Sequence, residues 1–207
     1  MSNTSKGIEE RVPPGQVVTN KFPVLSLGPT PKVERSRLRL RVFGSVGRVM
    51  ELSWDELMKF PKVEKILDFH CVTGWSRLGD LWEGISLRSL LEAAGPKGEY
   101  IMLHSYDGYT TNVPLRYAID DNSMLAYKLN GKELEPDHGG PLRALIPQLY
   151  AWKSAKWISA IEVMVEDSPG FWEQRGYHML GDYWKEQRYA ESYDFMSIIN
   201  IRKRRSK

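Results

Sequence analysis

A single cysteine, at position 71, rules out an internal disulfide, so the fold must rest on its core and the thiol is left for chemistry. Histidine is nearly as sparse. The four residues, at 70, 104, 138 and 178, show no HxH, HExxH or CxxC spacing, which excludes the common zinc-site patterns. No stretch nears the roughly 20 consecutive apolar residues of a membrane span. The opening MSNTSKGIEERVPPGQVV lacks the basic start and apolar run of a secretory signal, and the expected location is the cytoplasm. Charge of one sign is scarce too. With 29 basic against 26 acidic residues, the chain does not read as a nucleic-acid binder, although a local cationic cluster can still meet a small anion.

What is present is an ordinary globular composition: 42% of the 207 residues are hydrophobic and 27% charged, enough for one sizeable core. Residues 1–17 are polar, carry Pro13-Pro14-Gly15 and read as a mobile arm. Residues 18–200 form the expected single domain, and the basic tail within 201–207, RKRRSK, reads as solvated. The segment TNKFPVLSLGPTPKVE, with prolines at 23, 29 and 31, predicts an extended strap lying over the domain.

Leu38, Leu40 and Val42 alternate with Arg37, Arg39 and Arg41, a strand pattern closed by a glycine turn before Val49 to Leu52. Ser53 and Glu56 have capping-box spacing and predict a helix to Phe60, halted by Pro61. A strand is expected from Val63 to Val72. Ser86 should cap a helix whose Leu87, Leu90 and Leu91 share a face, with Gly95 as its stop. Further strands are expected at 100–105, 124–129, 142–146 and 157–165, with Asn130-Gly131 as a hairpin turn. Short strands outnumber helices without βαβ alternation, so the predicted class is α+β with mixed sheets and a few short helices.

Three segments can carry chemistry. In DFHCVTGWS, Cys71 ends a strand and enters a turn, a place from which a side chain projects into a cleft; a lone cysteine is also an ordinary core residue, and residue types alone favour that reading. Strand alternation sends His70 to the opposite face. In DHGGPLRALIPQLYAWKSAKW, the amides of Gly139 and Gly140 with Arg143, Lys153 and Lys156 suit a phosphate, though the glycines also fit a plain tight turn. SPGFWEQRGYHMLGDYW clusters aromatic rings around Arg175, Tyr177 and His178 and reads first as a hydrophobic lid.

Taken in order, TNKFPVL, LRLRVFGSV, HCVTGWS, LAYKLNGKELEPDHGGPLR, AWKSAKW and the following IEV resemble the molybdopterin-binding domain of the sulfite-oxidase family, which includes the catalytic subunit of the periplasmic methionine-sulfoxide reductase. The resemblance spans roughly residues 18–178. It implies molybdenum with molybdopterin as cofactor and Cys71 as the thiolate on the metal. It implies that His138 and Arg143 hold the phosphate region, that Ser154, Ala155 and Lys156 contact it, and that Asn20, Pro23, Val24 and Ser105 touch the cofactor. Tyr177 falls where sulfite oxidases place a tyrosine beside the metal. The implied reaction is a two-electron oxygen-atom transfer with a small oxyanion, sulfoxide or N-oxide, served by a separate electron-transfer partner.

Departures from the pattern bear on the substrate. Thr19 and Ser76 stand where family sulfite oxidases have oxyanion-binding arginines, Arg77 lies one residue beyond, and Thr73 stands where the methionine-sulfoxide reductases have glutamate. Two other readings remain at this stage. Cys71 as a nucleophile with His104 or His138 as its base is one, and a binding module of the same fold, docking through its basic tail, is the other.

Overall fold

The computed structural model describes residues 7–190. Two sheets built from short strands carry the chain. The first gathers β1 (Val17–Val18), β4 (Lys62–His70), β5 (Trp75–Ser86), β8 (Met124–Leu129), β9 (Lys132–Glu133) and β10 (Arg143–Leu145). Its path runs β1-β5-β8-β10, with β4 also on β5 and β9 on β8. The second has the order β3-β2-β11-β6-β7, from β2 (Arg39–Gly44), β3 (Met50–Ser53), β6 (Tyr100–Ser105), β7 (Thr110–Pro114) and β11 (Ile158–Met164). Three short helices join them: α1 (Trp54–Leu57), α2 (Leu87–Ala94) and α3 (Leu115–Ala118). Parallel and antiparallel pairs occur in both sheets, the mixed α+β architecture expected.

Local signals explain most elements. Leu40 and Val42 of β2 are fully buried while Arg39 and Arg41 face solvent, so the period-2 pattern sets which face packs. Ser53 and Glu56 form the reciprocal capping box, but α1 ends at Leu57, three residues short of Phe60. In α2, Leu87, Leu90, Leu91 and Ala94 point inward, each leucine contributing about 1.5–3 kcal/mol by burial. Gly95 closes that helix at φ +66°, a conformation that costs a side-chain-bearing residue strain. Asn130 and Gly131, both at positive φ, make the β8–β9 turn.

Two expectations fail at the N-terminal side. The segment before residue 18, read as a mobile arm, is docked from residue 7. Its 3-10 turn Ile8–Arg11 sends Arg11 to Asp68, and Val17–Val18 pairs in parallel with Trp75 and Ser76. The expected strand to Val72 stops at His70, and the 12-residue strand β5 begins just four residues after Cys71. The tail within 201–207 and the end of the expected 18–200 domain lie outside the described residues.

Candidate active site

The β4–β5 hairpin forms part of the site's wall. Its turn folds back as the Cys71 amide donates to the Trp75 carbonyl (2.9 Å) and the Gly74 amide to the Cys71 carbonyl (3.0 Å). His70 and Cys71 point to opposite sides, as alternation predicts. His70 bonds Ser76 Oγ at 2.8 Å and packs on Tyr183, whereas Cys71 faces a cavity of about 360 Å³. The Cys71 thiol lies 3.1 Å from Thr73 Oγ1. Burial pushes its pKa up, against smaller lowering effects of the Thr73 bonds and of Arg188.

The cavity wall also carries a cationic group. Arg143 is buried and spends its guanidinium on backbone carbonyls, of Ser154 at 2.7 Å, His138 at 2.9 Å and Ala144 at 3.4 Å. Burial lowers its pKa to about 10, which leaves it charged. Lys156 donates to the Asp137 carbonyl at 2.8 Å, and burial together with the Arg143 charge brings it down to about 8. His138 stacks on Phe22 with ring centres 4.1 Å apart, and burial lowers its pKa. The sign for Lys156 is simple: the ammonium is lost as pH rises through about 8. Inorganic phosphate should therefore bind metal-free protein more tightly at pH 7.5 than at 9.5, by about tenfold or less, and Lys156→Gln should flatten the difference in a calorimetric titration.

The cavity brings together Pro23, Cys71, Ser105, His138, Arg143, Ser154, Ala155, Lys156 and Tyr177 of the expected site residues. Asn20 and Val24 are not on its wall. Both are exposed, and Asn20 serves through its carbonyl, which accepts from Arg77 at 2.5 Å. The strap around them does line the opening, through Phe22, Pro23, Leu25, Ser26 and Leu27.

Other readings of this region are corrected. The Gly139 and Gly140 amides face no ligand; they donate to the Pro136 and Glu135 carbonyls. Glycine is required here by close approach, since a Cβ on Gly140 would lie 2.1 Å from the Leu134 carbonyl oxygen. Lys153 is no phosphate ligand either. The 3-10 turn Ala151–Lys153 directs it inward, fully buried, onto Glu173 at 2.5 Å. His104 bonds Glu162 at 3.1 Å in the second sheet and does not line the cavity, so it is no base for Cys71. His138 shares the cavity with Cys71, but the thiol's hydrogen bond goes to Thr73.

Aromatic residues that sequence reasoning did not place complete the wall: Trp75, Tyr109, Trp152 and Trp172. Tyr177 packs at 5.1 Å from Trp152, 5.0 Å from Trp172 and 5.5 Å from Tyr189, so the lid reading of the C-terminal aromatics fits the geometry. The AWKSAKW block was the one signal that could have found Trp152.

A thiol and a cation cluster on the wall of one cavity suit an enzyme domain that seats an anionic cofactor better than they suit a nucleophile–base pair. The residues present fit a phosphate-bearing pterin with a thiophilic metal: a soft donor, fixed cations, and the buried Ser105 Oγ, which has no hydrogen-bond partner among the described residues and belongs to a residue on the cavity wall. The chain belongs to the oxidoreductase molybdopterin binding domain family, which it matches over residues 27–172. It is thus an oxidoreductase of the sulfite-oxidase-like class, whose cofactor is molybdenum with molybdopterin.

It is 48% identical over 183 residues to an uncharacterized oxidoreductase, YuiH, of Bacillus subtilis (strain 168), covering 87% of this chain and 92% of that one. With sulfite oxidase of Gallus gallus it shares 33% identity over 181 residues, 72% of this chain and only 39% of the larger protein. The sulfane dehydrogenase SoxCD of Paracoccus pantotrophus has the same fold, with a TM-score of 0.62 at 19% identity, covering 71% of this chain and 42% of that one.

Proposed function

We propose that this oxidoreductase carries out a two-electron oxygen-atom transfer to or from a small oxyanion, sulfoxide or N-oxide, with Cys71 as the protein's thiolate ligand to molybdenum. The observation that carries the reading is that Cys71 and the cationic group of His138, Arg143 and Lys156 line one cavity. Among the described residues no group of three or more His, Cys, Asp or Glu could hold a metal ion. A single thiolate needs co-ligands, which a pterin dithiolene provides.

When bound, the cofactor supplies the two-electron redox couple and the oxygen-accepting centre. The chain's own residues do the rest. Arg143, fixed by three carbonyls, offers its remaining N–H groups to the phosphate region without having to reorganise, and Lys156, bonded to the Asp137 carbonyl, adds a second charge. His138, held flat against Phe22, and Pro23 close the strap side. Ser105 Oγ, Ser154 and Ala155 complete the bed for the pterin. Tyr177 stands in the aromatic wall on the Cys71 side, its phenol kept protonated by burial, and can donate to an oxygen atom carried in transfer. Trp152 and Trp172 limit the water that reaches it. Electrons are exchanged with a separate partner.

Protein made in a molybdenum-replete host should contain about one molybdenum and one pterin per chain, the single site that one Cys71 per chain allows. Elemental analysis and pterin fluorescence read this directly. Metal-free protein with full oxidoreductase activity would refute it.

A further inference from the structure

Residues 20–33 run along the cavity with little of their own to hold them. On the N-terminal side the Thr19 amide donates to the Ser76 carbonyl at 2.9 Å, and the Asn20 carbonyl accepts from Arg77. On the other side regular bonding resumes at Glu34, whose carbonyl accepts from the Arg37 amide at 3.0 Å. Among the described residues, no backbone group of 21–33 is bonded to the rest of the domain. The Lys21 amide returns to Thr19 Oγ1, and the Gly28 carbonyl accepts from Ser26. Prolines 23, 29 and 31 have no N–H to give and a fixed φ, so the segment is stiff between soft ends.

Two side chains clip this strap down, and they land on adjacent residues. The half-buried Phe22 stacks on His138 with planes 8° apart and meets Phe69, Trp75 and Trp82 with its ring edge. Thr30 Oγ1 donates to the Asp137 carboxylate. Asp137 and His138 also carry the cationic group, since their carbonyls accept from Lys156 at 2.8 Å and from Arg143 at 2.9 Å. An anionic ligand drawn to these cations therefore arrives where the strap is fastened. Between the clips Pro23, Leu25, Ser26 and Leu27 line the cavity while remaining exposed to solvent.

Other parts of the wall are held more firmly. The Cys71 turn is bonded to Trp75, Gln16 and Arg188, the Ser105 amide to the Tyr109 carbonyl at 2.9 Å, and the Ala144 amide to the Ala155 carbonyl at 2.8 Å. Moving any of these breaks backbone pairing. Lifting the strap breaks one side-chain hydrogen bond and uncovers one half-buried ring.

We propose that residues 20–33 form the gate through which the pterin enters: the strap swings about Thr19 and Glu34, admits the cofactor to the already folded domain, and shuts as Phe22 seats on His138 and Thr30 on Asp137. This rests on the cavity being the seat of the pterin. It adds the side of entry and the order of assembly, with the domain first, the cofactor second and the strap last.

Trypsin reads the strap directly, because Lys21 and Lys32 bracket it and the Lys21–Phe22 bond is open to cutting only while Phe22 is lifted. When opening and closing are fast, the cutting rate follows the population of the open form. In protein of measured molybdenum and pterin content, the loaded fraction should be cut at Lys21 at least about tenfold more slowly than the cofactor-free fraction. Phe22→Ala removes the buried part of the ring and its stack. It should speed both cutting of the cofactor-free protein and release of pterin from the loaded protein by about tenfold, the release followed by the fluorescence of the oxidised pterin. Thr30→Ala, outside the core, should act in the same direction by about threefold, and keeps the test decisive should Phe22→Ala not fold. Equal cutting of loaded and cofactor-free protein at Lys21, or pterin release unchanged by the folded variants, would overturn the gate alone. Protein that never carries pterin would sink the assignment of the cavity, and the gate with it.

Discussion

Serine at position 71 is expected to leave a folded protein that has lost most of its molybdenum, at least about a hundredfold in affinity, and its oxidoreductase activity with it. Changing residues that merely support a metal ligand already costs about ten- to a hundredfold, so removing the ligand atom itself should cost more. The argument is one of donor chemistry. A thiolate is soft and matches a thiophilic metal, and metal binding expels the thiol proton even though burial holds the pKa of Cys71 high in the free protein. A serine hydroxyl is hard and gives up its proton far less readily. Stability should hardly change, by about 1 kcal/mol or less, because a serine can keep the bond to Thr73. Metal analysis beside a thermal melt separates the two effects. A variant that keeps its molybdenum would remove Cys71 from the metal.

The second large effect is on stability. Lys153→Met should cost about 3–5 kcal/mol, the usual penalty for stripping one partner from a buried ion pair. For a chain of this length that is roughly a 6–20 °C fall in Tm. The ammonium is fully buried and meets four acceptors: Glu173 at 2.5 Å, Met179 O at 2.6 Å, and Asn112 Oδ1 and O at 2.7 and 2.9 Å. Methionine would leave the Glu173 carboxylate buried with its second oxygen already lacking a partner. The double change Lys153→Met with Glu173→Gln should be less damaging than the single one, since no uncompensated charge remains. Thermal melts of the three proteins decide it, and equal or additive losses would contradict the ion-pair account. Because Glu173 also holds the Trp152 indole, the single variant should loosen the aromatic wall as well.

Much of this was legible in the sequence where local pattern governs. The alternation around Leu40, the Ser53 capping box, the Ser86 and Gly95 limits of α2 and the Asn130-Gly131 turn all appear where the residues predicted them. β5 was not. Its run WSRLGDLWEGIS looks like loop because Ser76 and Asp80 are buried polar residues, held by His70 and Gln16 and by Arg77 and Asn130, and because Gly84 is needed where Leu125 O would come within 2.6 Å of a Cβ. The docking of residues 7–18 was invisible for a related reason, since Val17 and Val18 pair with residues nearly sixty positions away.

The candidate site follows the same division. Family resemblance pointed to Cys71, His138, Arg143 and Lys156, which converge on one cavity. Asn20 and Val24, on an extended strap that has no period from which to read its inward face, do not line it. Lys153 and Lys156 looked equivalent in sequence, yet one 3-10 turn sends the first into the core and leaves the second at the cavity.

Gln16 donates to the Cys71 carbonyl at 3.1 Å, and Arg188 donates to that of Val72, so this turn is tied from near both ends of the described chain. A nascent polypeptide lacks the second tie until residue 188 has left the ribosomal tunnel. The thiol's final setting is thus acquired late, once residue 188 can reach the turn, and changes near residues 16 or 188 should be judged by metal loading as well as by yield.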